Sequence, residues 1–128
     1  MTNRAVPDEV RRFILTSLPS VPYLEALLLL RSDPARAWDS FDVASRLYIG
    51  ENQALELLQA MQQSGLAVRT DGGGFLFSPK TPELSGVIEE LATTYSQNLV
   101  GVTDLIHSRV EKRAHQFADA FRWKKDAG

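Results

Sequence analysis

The side chains best suited to metal chemistry lie near the end of the chain, where His107, Glu111 and His115 are spaced four residues apart. This spacing places all three on one face of a helix, where imidazole and carboxylate groups can chelate a metal ion. Asp104 and Asp119 extend the same stripe, and the opposite face is apolar. A solvated helix face with charge pairs four residues apart explains the pattern equally well. We therefore expect no metal site and no cofactor.

Other catalytic arrangements are missing from the sequence. The chain contains no cysteine, which excludes disulfides, thiolate metal sites and cysteine nucleophiles. No serine lies in a nucleophile-elbow motif. The three glycines at 72–74 are not followed by the lysine of a phosphate-binding loop. We therefore expect a protein that is not an enzyme.

The middle of the chain carries a group of amide and carboxylate side chains with no cation among them. Between Arg46 and Arg69 there is no basic residue. Asparagine and glutamine side chains can form paired hydrogen bonds with adenine edges, whereas glutamates repel the phosphates that supply most of the affinity for DNA. The exposed polar residues expected on this helix are Glu51, Asn52, Gln53, Glu56 and Gln59.

The apolar pattern predicts a mainly helical fold with one small β-hairpin. Apolar residues at helical spacing predict helices near 8–18, 22–31, 41–47 and 51–64. Ser40 is the candidate N-cap of the third helix, whose Phe41, Ala44 and Leu47 lie on one side. An Asp-Gly pair between two apolar runs predicts a hairpin over 66–78, and Thr81 followed by proline predicts another helix start.

The chain is long enough for one domain with an appended element. We divide it into a domain of residues 1–80 and a C-terminal helical segment of residues 81–128. An unbroken helix from 81 to about 123 would be about 60 Å long, so we expect a break near 98–101. We also expect a second copy of the chain to cover part of its apolar stripe.

Charge is unevenly distributed along the chain. The net charge is −2, so no overall basic field attracts nucleic acid. Residues 21–66 hold six acidic and three basic side chains, whereas the tail 109–128 is basic. Two interpretations of this tail remain open: it grips phosphates or docks on a partner, or its cations complement a helix dipole while its aromatic residues serve as core or dimer contacts.

The stretch FDVASRLYIGENQALELLQAMQQSGLAVRTDGGGFLFS, residues 41–78, resembles the winged helix-turn-helix transcription regulators. Ala44 matches the small residue where the two helices of the motif cross. Leu47 and Ile49 match the apolar positions around the turn, and Gly65 matches the glycine that ends the second helix. The flanking helices resemble those of dimeric regulators of the multiple-antibiotic-resistance (MarR) type. The resemblance places the helix-turn-helix at about 41–64 and the wing at about 66–78.

The resemblance implies a dimeric DNA-binding regulator whose dimer forms through the C-terminal helices. The alternative is a winged-helix module whose acidic face binds a basic protein instead of DNA. A third hypothesis is a dimer that responds to a metal or ligand through the histidine stripe. The DNA-binding residues implied by the resemblance are Arg46, Asn52, Gln53, Gln59, Arg69 and Lys80.

The expected location is the cytoplasm. The N-terminus lacks the apolar core of a signal peptide. The most apolar run, YLEALLLLR at 23–31, is too short to cross a bilayer. We therefore expect a soluble protein without a membrane partner.

Overall fold

The computed structural model describes residues 5–109, which form six helices and one two-stranded antiparallel sheet. This confirms the predicted mainly helical architecture with a small hairpin. In chain order the elements are α1 (Asp8–Ser17), α2 (Val21–Ser32), α3 (Ser40–Leu47), α4 (Glu51–Gln63), β1 (Ala67–Arg69), β2 (Phe75–Phe77), α5 (Pro82–Gln97) and α6, which covers residues 99–109 of the described range.

Short polar side chains fix where several helices begin. The Ser20 hydroxyl accepts a hydrogen bond from the backbone N–H of Tyr23 at the start of α2, and Thr81 caps α5 in the same way. The prediction that Ser40 caps α3 was wrong. Asp39 is the cap, and its Oδ1 accepts the backbone N–H of Asp42 at 2.8 Å. Either residue type suits the position, so the sequence alone favoured neither strongly.

A single apolar core joins the helices that come before and after the hairpin. α2 lies within it, with Leu24, Leu27 and Leu30 fully buried. α1 packs against α5 across the same core. The fully buried aliphatic residues of α1, α5 and α6 are Val10, Ile14, Ile88, Leu91, Val102 and Ile106.

The long C-terminal stretch breaks at Asn98, which confirms the predicted interruption. α5 ends at Gln97, and the Asn98 side chain then caps the next helix by accepting the backbone N–H of Gly101 at 2.9 Å. Val102 and Ile106 of α6 pack into the core of the same chain. Within the described residues, this part of the apolar stripe needs no second copy to cover it.

An ion pair connects α2 to α5 at the surface. Arg31 donates to both carboxylate oxygens of Glu89, with Nη2–Oε1 at 2.7 Å and Nε–Oε2 at 3.0 Å. This hydrogen bonding lowers the pKa of Glu89 and raises the pKa of Arg31. Both side chains remain partly exposed, so the pair contributes no more than about 1 kcal/mol to stability. The burial of apolar side chains between the two helices stabilises the fold more than this ion pair does.

The hairpin is attached to the connector between α2 and α3. β1 and β2 pair with Ala67 opposite Phe77 and Arg69 opposite Phe75. Phe75 also exchanges two backbone hydrogen bonds with Trp38, at 2.8 and 2.7 Å. Trp38 therefore acts as a third, single-residue strand beside β2. This pairing fixes the hairpin against the start of α3.

Helix length and composition decide whether a segment could cross a membrane. Over residues 5–109, no single helix is both long and apolar enough to do so. Within the same range, α1 and α2 taken together are long and apolar enough, but the two helices are bent by 116°.

Candidate nucleic-acid interface

The corner between α3 and α4 is built on a tyrosine in the left-handed conformation. Tyr48 has φ 58° and ψ 45°, and the backbone N–H of Ile49 bonds to the carbonyl of Ala44 at 3.1 Å. This is the Schellman arrangement, in which glycine is the usual residue. The Tyr48 side chain is 95% exposed. It therefore contributes almost no burial to offset its backbone strain.

α4 presents its amides to solvent and its apolar residues to the core. Asn52, Gln53 and Gln59 are all exposed, as predicted for this face. Asn52, Glu56 and Gln59 follow the four-and-three spacing of a single helical stripe. The buried side holds Ala54, Leu58 and Met61, each fully inaccessible.

One glutamate on this helix has a structural explanation. Glu51 lies in the first turn of α4, whose N-cap Gly50 provides no side-chain hydrogen bond. A carboxylate there complements the positive end of the helix dipole. Its Oε1 also accepts a hydrogen bond from the Ser40 hydroxyl at 3.4 Å, which links the starts of α3 and α4. Glu56 lies five residues further along α4 and is also exposed.

Lys80 lies near the C-terminal end of α4, whereas Asn52 and Gln53 lie near its N-terminal end. α4 ends in a Schellman motif, with Gly65 at φ 76° and the Leu66 N–H bonded to the Met61 carbonyl. The Lys80 backbone N–H donates to the carbonyl of Gly65 at 2.9 Å, and the lysine stem packs over this glycine. Since α4 is about 20 Å long, the structure does not bring Lys80 together with Asn52.

Arg69 and Arg46 lie against two neighbouring aromatic side chains. Arg69, Phe75 and Trp38 are paired directly across neighbouring strands, so their side chains lie on the same face of the sheet. The guanidinium carbon of Arg69 is 5.6 Å from the Phe75 ring centroid. That of Arg46, from α3, is 5.3 Å from the Trp38 centroid. Both distances are typical of cation–π contacts.

A third arginine completes this group. The guanidinium carbon of Arg36 lies 3.7 Å from the Trp38 centroid, and its Nη2 is 3.3 Å from Oδ2 of Asp42. Trp38 and Phe75 are each 1% exposed, so the arginines lie at the edge of a covered aromatic pair. We call this group the arginine–aromatic row; its members are Arg36, Trp38, Arg46, Arg69 and Phe75.

Sequence reasoning missed Arg36 and did not separate the exposed Phe41 from the other apolar residues of α3. Residues 31–38 gave no strand signal, because a single bridging residue leaves no alternating pattern. Arg36 therefore counted only as part of a connector. Phe41 shares one side of α3 with Ala44 and Leu47, but it is 64% exposed, and Val43 is the fully buried residue of this helix. An eight-residue helix crossing α4 buries only a narrow strip of its surface.

Two further sequence hypotheses fall largely outside residues 5–109. His107 is exposed on α6, whereas its potential partners Glu111 and His115 lie beyond the described range. Within that range no group of three metal-ligating side chains comes together. The basic tail also lies beyond it, apart from Arg109.

The chain matches no known protein family, and no curated protein or solved structure shows significant similarity to it.

The strained backbone of Tyr48 gives a stability prediction. We expect Tyr48→Gly to raise the free energy of unfolding by about 1 kcal/mol, because glycine adopts the left-handed conformation without a steric penalty. The matched control Tyr48→Ala removes the same exposed ring but keeps the strain, so it should change stability by less than about 0.5 kcal/mol. Urea denaturation followed by circular dichroism measures both. A loss of stability in Tyr48→Gly would show that the ring makes a stabilising contact.

Proposed function

We propose that this protein is a winged helix-turn-helix regulator that binds DNA as a dimer and is not an enzyme. The main support is the order of its elements. α2 is followed by the Trp38 bridge, α3, α4 and the β1–β2 hairpin, and the same order of helix, short strand, two helices and two-stranded wing is that of the fold. The exposed amides of α4 occupy the side that enters the major groove in such regulators.

Each implied contact residue has a role in this proposal. Asn52, Gln53 and Gln59 contact base edges, because their amides offer a donor and an acceptor together. Arg46 and Arg69 hold backbone phosphates from the arginine–aromatic row, which supplies the positive charge that α4 lacks. Lys80, at the far end of α4, contacts a separate stretch of the backbone. Phosphate contacts position the protein, and the amides provide sequence preference.

Titration of duplex DNA tests the phosphate contacts. We expect the wild-type protein to bind random-sequence duplex at low salt with an affinity that falls steeply as salt rises. Arg46→Ala with Arg69→Ala should weaken binding about tenfold or more and reduce the slope of log affinity against log salt by about 2. Fluorescence anisotropy over a salt series measures both quantities.

The control for this experiment removes the same charge elsewhere. Arg11→Ala with Arg12→Ala, on the exposed side of α1, lowers net charge equally but should leave the salt slope unchanged. Wild-type protein that shows no binding at low salt contradicts the DNA-binding proposal.

The proposed dimer and location rest on the C-terminal helices and on composition. Leu99 and Val100, at the start of α6, are adjacent large apolar residues that are 54% and 60% exposed. Val102 and Ile106 are buried within the chain. Over the described part of α6, which ends at residue 109, Leu99 and Val100 are therefore the apolar surface that a second copy can cover.

A cytoplasmic location belongs to the same proposal, since the absence of cysteine agrees with a reducing compartment.

Sedimentation velocity tests the dimer surface. We expect the wild-type protein to sediment as a dimer and Leu99→Ser with Val100→Ser to sediment as a folded monomer, because exposed side chains contribute little to the core of one chain. Leu15→Ser, at a less exposed apolar position on α1, is the control and should remain dimeric. A dimeric double variant would place the interface elsewhere.

A second candidate is an interaction module that binds a basic protein segment. The observation that favours it is the combination of Glu51 and Glu56 on α4 with the exposed rings of Phe41 and Tyr48. Exposed aromatic residues beside charge of one sign are typical of protein interfaces. Such a surface fits a segment that carries lysine or arginine together with apolar side chains.

Reversing the charge of α4 separates the two candidates. If the face binds DNA, Glu51→Lys with Glu56→Lys should tighten DNA binding several-fold, because two repulsive charges become attractive. If it binds a basic segment, the same variant should lose binding to a synthetic lysine-rich amphipathic peptide, which the wild type binds. Anisotropy with labelled DNA and labelled peptide measures both. Glu83→Lys with Glu90→Lys, on α5, is the charge-matched control.

A further inference from the structure

Two ion pairs in this protein differ in a way that points to a binding site. Arg31 and Glu89 make two hydrogen bonds, with a shortest distance of 2.7 Å. Arg36 and Asp42 make one, at 3.3 Å. Charge-assisted hydrogen bonds are ordinarily about 2.7–2.9 Å long, so the second pair is loose. Arg36 and Asp42 each keep 38% of their side-chain surface accessible to solvent.

The loose pair lies beside a second cation. Arg36 and Arg46 both lie against the Trp38 ring, at 3.7 and 5.3 Å from its centroid. Their guanidinium carbons are therefore no more than about 9 Å apart, since both distances reach the same point. Asp42 and Arg46 are four residues apart on α3, which makes them neighbours on one helix face. The Asp42 carboxylate thus pairs with the Arg36 guanidinium, and its helix position lies about one turn from that of Arg46.

Trp38 restricts the two arginines more than an open surface does. The indole ring is 1% exposed and is held by its backbone pairing with Phe75. A guanidinium stacked on a fixed ring loses less freedom on binding an anion than one on a mobile stem. Because Arg36 uses one donor towards Asp42, most of its five N–H groups stay available. Planar paired donors suit phosphate oxygens in particular.

We propose that Arg36 and Arg46, stacked on Trp38, form a seat for one backbone phosphate of DNA, and that Asp42 is an internal anion which this phosphate displaces. This inference rests on the proposed function and extends it to two residues that the resemblance did not assign. Asp42 lowers the affinity of the seat by occupying it. It also neutralises one guanidinium charge in the free protein.

Neutralising either partner of the loose pair tests the seat in the full-length protein. We expect Asp42→Asn to tighten binding to random-sequence duplex DNA about three- to tenfold at low salt. Arg36→Gln should weaken binding by a similar factor and reduce the salt slope by about 1. Thermal melting of both variants establishes that they fold, because Arg36 also covers Trp38.

The control is Asp8→Asn, which has the same charge change at an equivalent place. Asp8 and Asp42 are both acidic residues in the first turn of a helix, so loss of the dipole interaction affects both variants alike. Asp8 is not paired with the arginine–aromatic row. We expect its variant to bind DNA within about twofold of wild type. If Asp8→Asn increases the affinity for DNA as much as Asp42→Asn does, the effect comes from net charge alone and the proposal is overturned.

The remaining outcomes separate this inference from the function on which it rests. If Arg46→Ala with Arg69→Ala weakens DNA binding but Arg36→Gln and Asp42→Asn match the control, the seat is overturned and the DNA-binding proposal stands. If wild-type protein does not bind DNA, elution from immobilised heparin tests the seat alone. Later elution of Asp42→Asn and earlier elution of Arg36→Gln would assign the seat to another polyanion, such as an acidic protein. Unchanged elution would overturn the seat altogether.

Discussion

The pairing of Trp38 with Phe75 is the constraint on which the rest of this surface depends. Two short backbone hydrogen bonds hold the hairpin against the connector between α2 and α3. Gly74 permits the close approach, since a Cβ there would lie 3.0 Å from that of Ala37. A two-stranded hairpin is marginally stable by itself. The third, single-residue strand and the core beneath it therefore give the hairpin a fixed position relative to α3 and α4.

This constraint also decides where positive charge can be displayed. α4 carries amides and glutamates on its exposed face, and its first-turn glutamate serves the helix start and the link to α3. The arginines come instead from the connector, from α3, which directly follows it, and from β1, which α4 separates from α3 in the chain. They converge because the paired aromatic rings offer a planar surface on which guanidinium groups stack. Charge and hydrogen-bonding capacity are thus provided by different elements of the fold.

The C-terminal ends of α3 and α4 have the same backbone conformation but differ in the residue type that adopts it. Both α3 and α4 end with a left-handed residue and the hydrogen bonds of a Schellman motif. At Gly65 the residue type fits the conformation, and the chain turns tightly into β1. At Tyr48 a bulky residue occupies the same conformation with its ring in solvent. A ring held there at an energetic cost is available for contact, and it lies beside the start of α4.

The sequence by itself determined the helices, the hairpin and the break at Asn98, because apolar periodicity, Asp-Gly turns and capping residues act over a few neighbouring positions. It also placed the exposed amides of α4 correctly. Only the tertiary structure brought Arg69 to the same aromatic row as Arg36 and Arg46, because this depends on a bridge between residues 38 and 75 that has no local signature. Likewise, the exposure of Phe41 and the burial of Val102 follow from the angles at which neighbouring helices pack. Local sequence fixes elements, whereas long-range packing decides which of their side chains share a surface.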